Sequence, residues 1–233
     1  MVPRDTQTRS YNDGPMPSGR TQVEISWDEA PALIEAAANR LRAGPGRPVV
    51  VGVTGPVGSG KSTLASRLGG AGVSTDWYLP DYDALPEHER DEPRHASLDL
   101  LAAHLAALRR AEAIDAPQWS FHSHRREGRR RVEPAPLVVC EGLFALHREV
   151  RPLIDVGVYV DAPAALRWRR WAAQERAGAR GWGVERARAY FERVAEPTFD
   201  KSASEYRGRA AFIVANRGSG PLGGGQAGER TTA

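Results

Sequence analysis

The sequence predicts an α/β fold in which a parallel sheet is flanked by helices. Three observations carry that expectation. Residues 48–54, 136–140 and 156–160 are short apolar runs rich in valine, as strands buried on both faces must be. Elsewhere apolar residues recur at helical spacing, most clearly at Leu98, Leu101, Leu105 and Leu108. The first apolar run leads into Gly55-Pro56-Val57-Gly58-Ser59-Gly60-Lys61-Ser62-Thr63, and a helix-forming stretch up to Leu68 follows. That order of strand, glycine-rich turn and helix fits G-x-x-x-x-G-K-[ST].

The motif has a local physical meaning. Gly55, Gly58 and Gly60 let the backbone bend and approach closely with no Cβ in the way. The N–H groups of the loop then converge on an anion at the positive end of the helix. Lys61 supplies a mobile charge for the β- and γ-phosphates of a nucleotide, and Ser62 a hydroxyl for Mg²⁺. Lys61 and Lys201 are the only lysines, which disfavours a chance match. The fold expectation narrows to a P-loop NTPase fold with a nucleotide's phosphates and Mg²⁺ as its ligands.

With 233 residues the chain suits one domain, or a domain with a small lid. The expected boundaries are a disordered tail over 1–22, a P-loop domain over 23–217 and a disordered Gly-rich tail over 218–233. A single cysteine, Cys140, excludes an intramolecular disulfide framework, and its apolar run marks it as a core residue. The formal net charge of +3 comes almost entirely from arginine, and nucleic-acid affinity does not follow from it. The sequence offers no apolar stretch long enough to span a membrane and no signal-peptide core, so a cytoplasmic location is the expectation. A homo-oligomer stays open.

Taken in order, Ser26-Trp27-Asp28-Glu29 has capping-box spacing, and Pro31 suits a cap at Asp28. The helix that follows carries Leu33, Ile34, Ala37 and Leu41 as its apolar stripe and ends at Gly44. After the phosphate loop, residues 72–78 read as a short strand ending in a polar turn. Asp76 then lies at the sheet's carboxyl edge, where open α/β sheets bind ligands. It is a general base, a magnesium-shell carboxylate or a turn aspartate. Residues 79–93 form a long acidic, proline-containing loop, followed by the leucine-striped helix from Ser97. Residues 115–132 read as a hairpin with its turn at Glu127-Gly128. Its basic run, Arg125 to Arg131, is a solvated face, a substrate contact or a nucleic-acid contact. Zinc at His122 and His124 is disfavoured, because no further ligand stands at the right spacing. Glu141 ends the second apolar strand as a Walker-B acid would, or caps the next turn. A third strand runs to Asp161. The helix after it bears Arg167, Arg169, Arg170, Arg176 and, further on, Arg180, either a solvated face or a lid over the triphosphate. Residues 185–194 continue as helix, and 210–215 form a last strand.

These stretches together resemble the uridine kinase branch of the family that also holds phosphoribulokinase and bacterial pantothenate kinase. The likeness covers residues 48–217. Its marks are the phosphate loop, Ser74-Thr75-Asp76-Trp77-Tyr78, Asp91-Glu92-Pro93, Trp119-Ser120-Phe121-His122-Ser123-His124-Arg125-Arg126, Val139-Cys140-Glu141-Gly142, Pro197-Thr198-Phe199 and Asn216-Arg217. The resemblance implies transfer of the γ-phosphoryl group of ATP to a small hydroxyl acceptor, a nucleoside such as uridine or cytidine at its 5′-hydroxyl. It implies Asp76, Lys61 and Arg169 as catalytic residues and Ser62, Glu141 and Asp76 around Mg²⁺. ATP would be held by Gly55 to Thr63 and Arg170. Tyr78, Asp91, Trp119, Phe121, His124, Arg126 and Arg176 would contact the acceptor. In this sequence Glu92 stands in place of the family's histidine, and Trp119-Ser120 in place of Tyr-Asp. The other readings are a kinase for pantothenate, a sugar phosphate or a modified nucleoside, a nucleotide-binding module that transfers nothing, and an ATPase stimulated by nucleic acid.

Overall fold

A computed structural model describes residues 22–42 and 46–218. Apart from Gln22 and Gly218, the two expected tails lie outside the described residues, as does Gly44.

The chain opens with β1 (Val23–Ser26), a strand that the sequence reading does not anticipate, and continues into α1 (Ala30–Arg42). The turn between them is closed at Ser26 rather than Asp28. Glu29 accepts from the Ser26 amide at 3.3 Å and the Ser26 hydroxyl at 2.5 Å, while the Glu29 amide approaches Ser26 Oγ at 3.4 Å. That is a capping box with Pro31 in the first turn. The buried stripe of α1 is Ala30, Ile34 and Ala38, whereas Leu33 and Leu41 are exposed, so the helix is rotated relative to the expected stripe.

The phosphate-loop unit follows as β2 (Val49–Thr54) and α2 (Lys61–Leu68), with every β2 residue buried. Next come β3 (Ala71–Ser74), a 3₁₀ turn over Thr75–Tyr78 and three more short 3₁₀ turns within 82–95. In α3 (Leu98–Arg109) the buried residues are the four leucines that the spacing predicts. Each such burial stabilises by about 2 kcal/mol.

The hairpin is β4 (Ile114–Ser120) and β5 (Arg125–Val132). Its turn lies over 121–124, not at Glu127-Gly128. Ser120 fixes it: the His124 amide donates to Ser120 O at 2.8 Å, and the amides of His122 and Ser123 donate to Ser120 Oγ. Gly128 is inside the strand, opposite Gln118, beside a register shift at Gln118/Trp119. Its positive φ serves that irregularity.

The chain then builds β6 (Leu137–Glu141), β7 (Val156–Asp161) and α4 (Ala164–Arg176). After α4 come α5 (Val184–Tyr190), a π turn over Phe191–Ala195, α6 (Glu196–Arg209) and β8 (Phe212–Ala215). Six strands form one parallel sheet in the order β1-β8-β7-β2-β6-β3. One face is covered by α1 and α2 through Ile34, Leu64 and Leu68 on Val49, Val51 and Val53. The other is covered by α3 and α6 through the leucine stripe, Phe199 and Tyr206. Cys140 is fully buried there, as expected. The register decides where the site forms. Glu141 lies opposite Val53 on one side and Ser74 on the other. The ends of β2, β6 and β3 therefore deliver the phosphate loop, one acid and the turn carrying Asp76 to one edge.

Candidate active site

The phosphate loop is clamped from outside. Gly58 has φ +73°, and a Cβ there would meet Arg167 O at 2.6 Å; Gly60 has φ +106° and would meet the Asn216 side chain at 2.7 Å. Only glycine fits either position. Three of the loop's carbonyls are taken by donors outside it. Arg170 donates to Gly58 O and Ser59 O at 3.2 Å each and to Asn216 Oδ1 at 2.9 Å. Asn216 donates to Ser59 O at 2.8 Å, and Arg167 reaches Val57 O at 3.4 Å while paired with Glu196. With its carbonyls turned to these partners, the loop leaves N–H groups for an anion. Ser59 Oγ is buried with no hydrogen-bond partner among the described residues. The cradle thus fits a nucleotide's phosphates.

Lys61 is buried, and its Nζ donates to Pro56 O at 3.0 Å. Burial lowers its pKa, while Glu141 and Asp76 pull it back up. Ser62 Oγ donates to Glu141 Oε2 at 3.1 Å, which joins the first turn of α2 to the end of β6. Among the described residues no cluster of three or more His, Cys, Asp or Glu is placed to hold a metal. A hydroxyl and one carboxylate still suit Mg²⁺, which completes its shell with substrate phosphates and water.

Asp76 sits in the turn after β3, whose start is capped by a hydrogen bond from its amide to Ser74 Oγ at 3.3 Å. Burial, then the neighbouring Glu141, raises its pKa to about 6; Lys61 and Arg180 oppose them. Beyond Asp76 lies Asp91. It is buried, accepting from Tyr82 OH at 2.7 Å and Tyr190 OH at 3.0 Å, and burial raises its pKa. Around these tyrosines the rings of Trp119, His124 and Trp182 pack together. Trp119 Nε1 donates to Pro80 O at 3.1 Å, and Phe121 stands edge-on to Trp119. The Arg180 guanidinium lies 4.5 Å from the Phe121 ring centroid and 4.9 Å from that of Trp171. Asp76 and Asp91 both act on its charge.

The structure brings Gly55 to Thr63, Asp76, Asp91, Trp119, Phe121, His124 and Glu141 to one edge, and separates others from it. Tyr78 is fully buried on the α3 side of the sheet, its hydroxyl 2.7 Å from His104 Nδ1. Arg126 is a strut: it donates to Leu79 O at 3.0 Å, Tyr78 O at 3.3 Å and Ser97 Oγ at 3.0 Å, holding the loop after β3. Arg170 serves the loop's carbonyls. Arg169 and Arg176 are exposed, the inward positions of α4 being taken by Leu166, Arg167, Trp171, Ala172 and Glu175, and no contact joins either to the acids among the described residues. The arginine that reaches the site is Arg180, beyond the helix end. Tyr82, Trp182 and Tyr190 are site residues that sequence reasoning does not single out, and Asn216, a mark of the resemblance, holds the loop through Ser59 O. Gly178, Gly181 and Gly183, all at positive φ, are the signal that α4 ends early and returns Arg180 and Trp182 inward.

The fold and this edge define an α/β domain of the phosphate-loop class. Solved structures agree on the fold. A candidate fructose transport system kinase from Silicibacter sp. TM1040 aligns with TM-score 0.61 at 18% identity, over 79% of this chain and 97% of that one. A candidate uridine kinase from Bacillus stearothermophilus aligns with TM-score 0.51 at 20% identity, over 80% and 99%. The family model for the phosphoribulokinase / uridine kinase family matches residues 82–216. The uridine kinase of Clostridium perfringens (strain SM101) is 30% identical over 186 residues, covering 74% of this chain and 89% of that protein. The chain belongs to the phosphoribulokinase / uridine kinase family. The uridine kinase of Clostridium botulinum (strain Langeland) is 36% identical over 135 residues, and this alignment spans 66% of its length and 52% of this chain.

Proposed function

We propose that residues 23–217 form a kinase domain that moves the γ-phosphoryl group of ATP to a hydroxyl of a small acceptor of the nucleoside class, the 5′-hydroxyl of uridine or cytidine. The observation that carries this reading is the position of Asp76. Its charge acts on Lys61 in the phosphate half and on Asp91 and Tyr82 in the aromatic half. One carboxylate thus lies within electrostatic reach of both the group that would hold a triphosphate and the group that would hold an acceptor. The family supports the reaction class, and the aromatic surroundings of Asp91 support a planar acceptor.

In this reading the loop amides and Lys61 hold the β- and γ-phosphates. Asp76 takes the proton of the acceptor hydroxyl as its oxygen bonds to phosphorus and the bond to the departing ADP breaks. Arg180 faces the charge spread over the moving group. Asp91 accepts hydrogen bonds from ribose hydroxyls. Ser62 and Glu141 would hold Mg²⁺, which when bound neutralises phosphate charge. Among the described residues no helix is long and apolar enough to cross a membrane.

The test is ADP release with ATP and a panel of uridine, cytidine, pantothenate and sugar phosphates. Turnover strictly dependent on a pyrimidine nucleoside is expected. Turnover with only a sugar phosphate or pantothenate would reassign the acceptor. Nucleotide binding with no acceptor-dependent turnover would make the domain a regulatory module.

A further inference from the structure

The loop between α4 and α5 carries a residue to which the proposed reaction gives no role. Trp182 lies on it, and its ring stacks face to face on His124 of the hairpin turn, centroids 4.4 Å apart and planes 11° from parallel. That is the geometry a planar heteroaromatic ligand adopts on a tryptophan. Trp182 also packs on Tyr190 at 4.6 Å, one of the two tyrosines that bond Asp91.

The position of Trp182 is built. Glu175 is buried at the end of α4; its Oε1 accepts from Trp171 Nε1 at 2.9 Å, and its Oε2 accepts from the amides of Trp182 at 3.2 Å and Gly183 at 3.0 Å. Gly181, at φ +75°, brings the loop so close to the hairpin turn that a Cβ would lie 2.9 Å from His122 O. The two substrate elements therefore touch at two adjacent points, a backbone approach and a ring stack.

The other tryptophan near Asp91 is less suited to receive a base. Trp119 is 6% exposed, and its indole N–H is committed to Pro80 O. Trp182 is only partly buried. Its partner His124 is neutral at physiological pH, because burial and the nearby Arg180, Arg186 and Arg90 pull its pKa to about 4. A neutral imidazole can yield its place on the indole at little electrostatic cost, and its ring nitrogens can then meet the edge of the incoming base.

We infer that Trp182 is a specificity-determining wall of the acceptor site: the planar base of a nucleoside stacks on it, so the loop after α4 selects an aromatic acceptor. This rests on the nucleoside-kinase reading above and adds to it the residue that reads the base.

The test is calorimetric titration of uridine into the full chain preloaded with a non-hydrolysable ATP analogue, for the unaltered protein, Trp182→Leu and Trp182→Phe. The expected result is a Kd for uridine about tenfold higher in Trp182→Leu, from loss of base stacking. Trp182→Phe should stay close to the unaltered protein, and the analogue should bind all three equally, which also shows that the variants are folded. Uridine binding of unchanged strength in Trp182→Leu would overturn the wall, as would equal losses in both variants. If the unaltered protein binds the analogue but neither uridine nor cytidine, the nucleoside reading itself falls and the wall with it.

Discussion

In the phosphate half of the site, eight consecutive residues, Gly55 to Ser62, supply nearly every group, and Glu141 arrives on the strand paired directly with β2. In the acceptor half the parts come from far apart: Asp91 and the Tyr190 that bonds it are 99 positions apart in the chain. Trp119, His124 and Trp182 come from a hairpin and a loop that share no sheet with the core. The first half is a local device whose geometry follows from glycine and helix physics. The second exists only once tertiary packing has joined three excursions of the chain. Gly58 and Gly60 in the first half are fixed by backbone clashes, whereas the second half is held by side-chain packing and hydrogen bonds.

Substitutions can break this contrast. The largest effects should fall where the halves meet. Asp76→Asn should lower kcat by about 1,000-fold with nucleotide binding retained, because a lost general base costs of that order. Lys61→Ala should abolish both turnover and tight nucleotide binding. Parallel measurements of ADP release and equilibrium nucleotide binding separate the two, and full activity in Asp76→Asn removes it as the base. Next, Asp91→Asn should raise the acceptor KM roughly 10- to 100-fold, the worth of a hydrogen bond to a charged group, with the KM for ATP unchanged. An equal rise in both constants would mean that the halves are not separable. Conversely, Arg170→Ala should raise the KM for ATP about tenfold and spare the acceptor, since it frees the loop carbonyls of Gly58 and Ser59. Arg169→Ala and Arg176→Ala should change neither constant by more than about twofold, as expected for solvent-facing charges. The smallest effect is Tyr78→Phe. It should cost about 1 kcal/mol of stability in urea unfolding through the lost His104 bond, with both KM values unaltered.

The same contrast explains what could be read from the sequence. The three central strands, the leucine helix and the phosphate loop were legible because burial on both faces, a 3.6-residue stripe and a glycine motif are local patterns. Glu141 and Asp76 were legible because strand ends in a parallel sheet point to one edge. β1 is not legible because only Ile25 of its four residues is buried and no apolar run marks it, and only pairing with β8 makes them a strand. The hairpin turn is not legible because Glu127-Gly128 looks like a turn, whereas Ser120 closes one earlier. Choosing among the arginines of α4 and its following loop needed the helix phase and the place where it ends. Spacing alone could not show that Arg167 and Arg170 turn to the loop while Arg180 turns to the acids.

The pairing of β1 with β8 has a consequence for how the molecule comes to be made. Among the described residues Val23–Ser26 hydrogen-bonds in register only with Phe212–Ala215. During translation the first strand therefore has no ladder to join until almost the whole domain has emerged. A nascent chain arrested before residue 212 should show a protease-sensitive amino-terminal segment beside an already folded centre. Synthesis of the last four-residue strand would be the event that seals that edge.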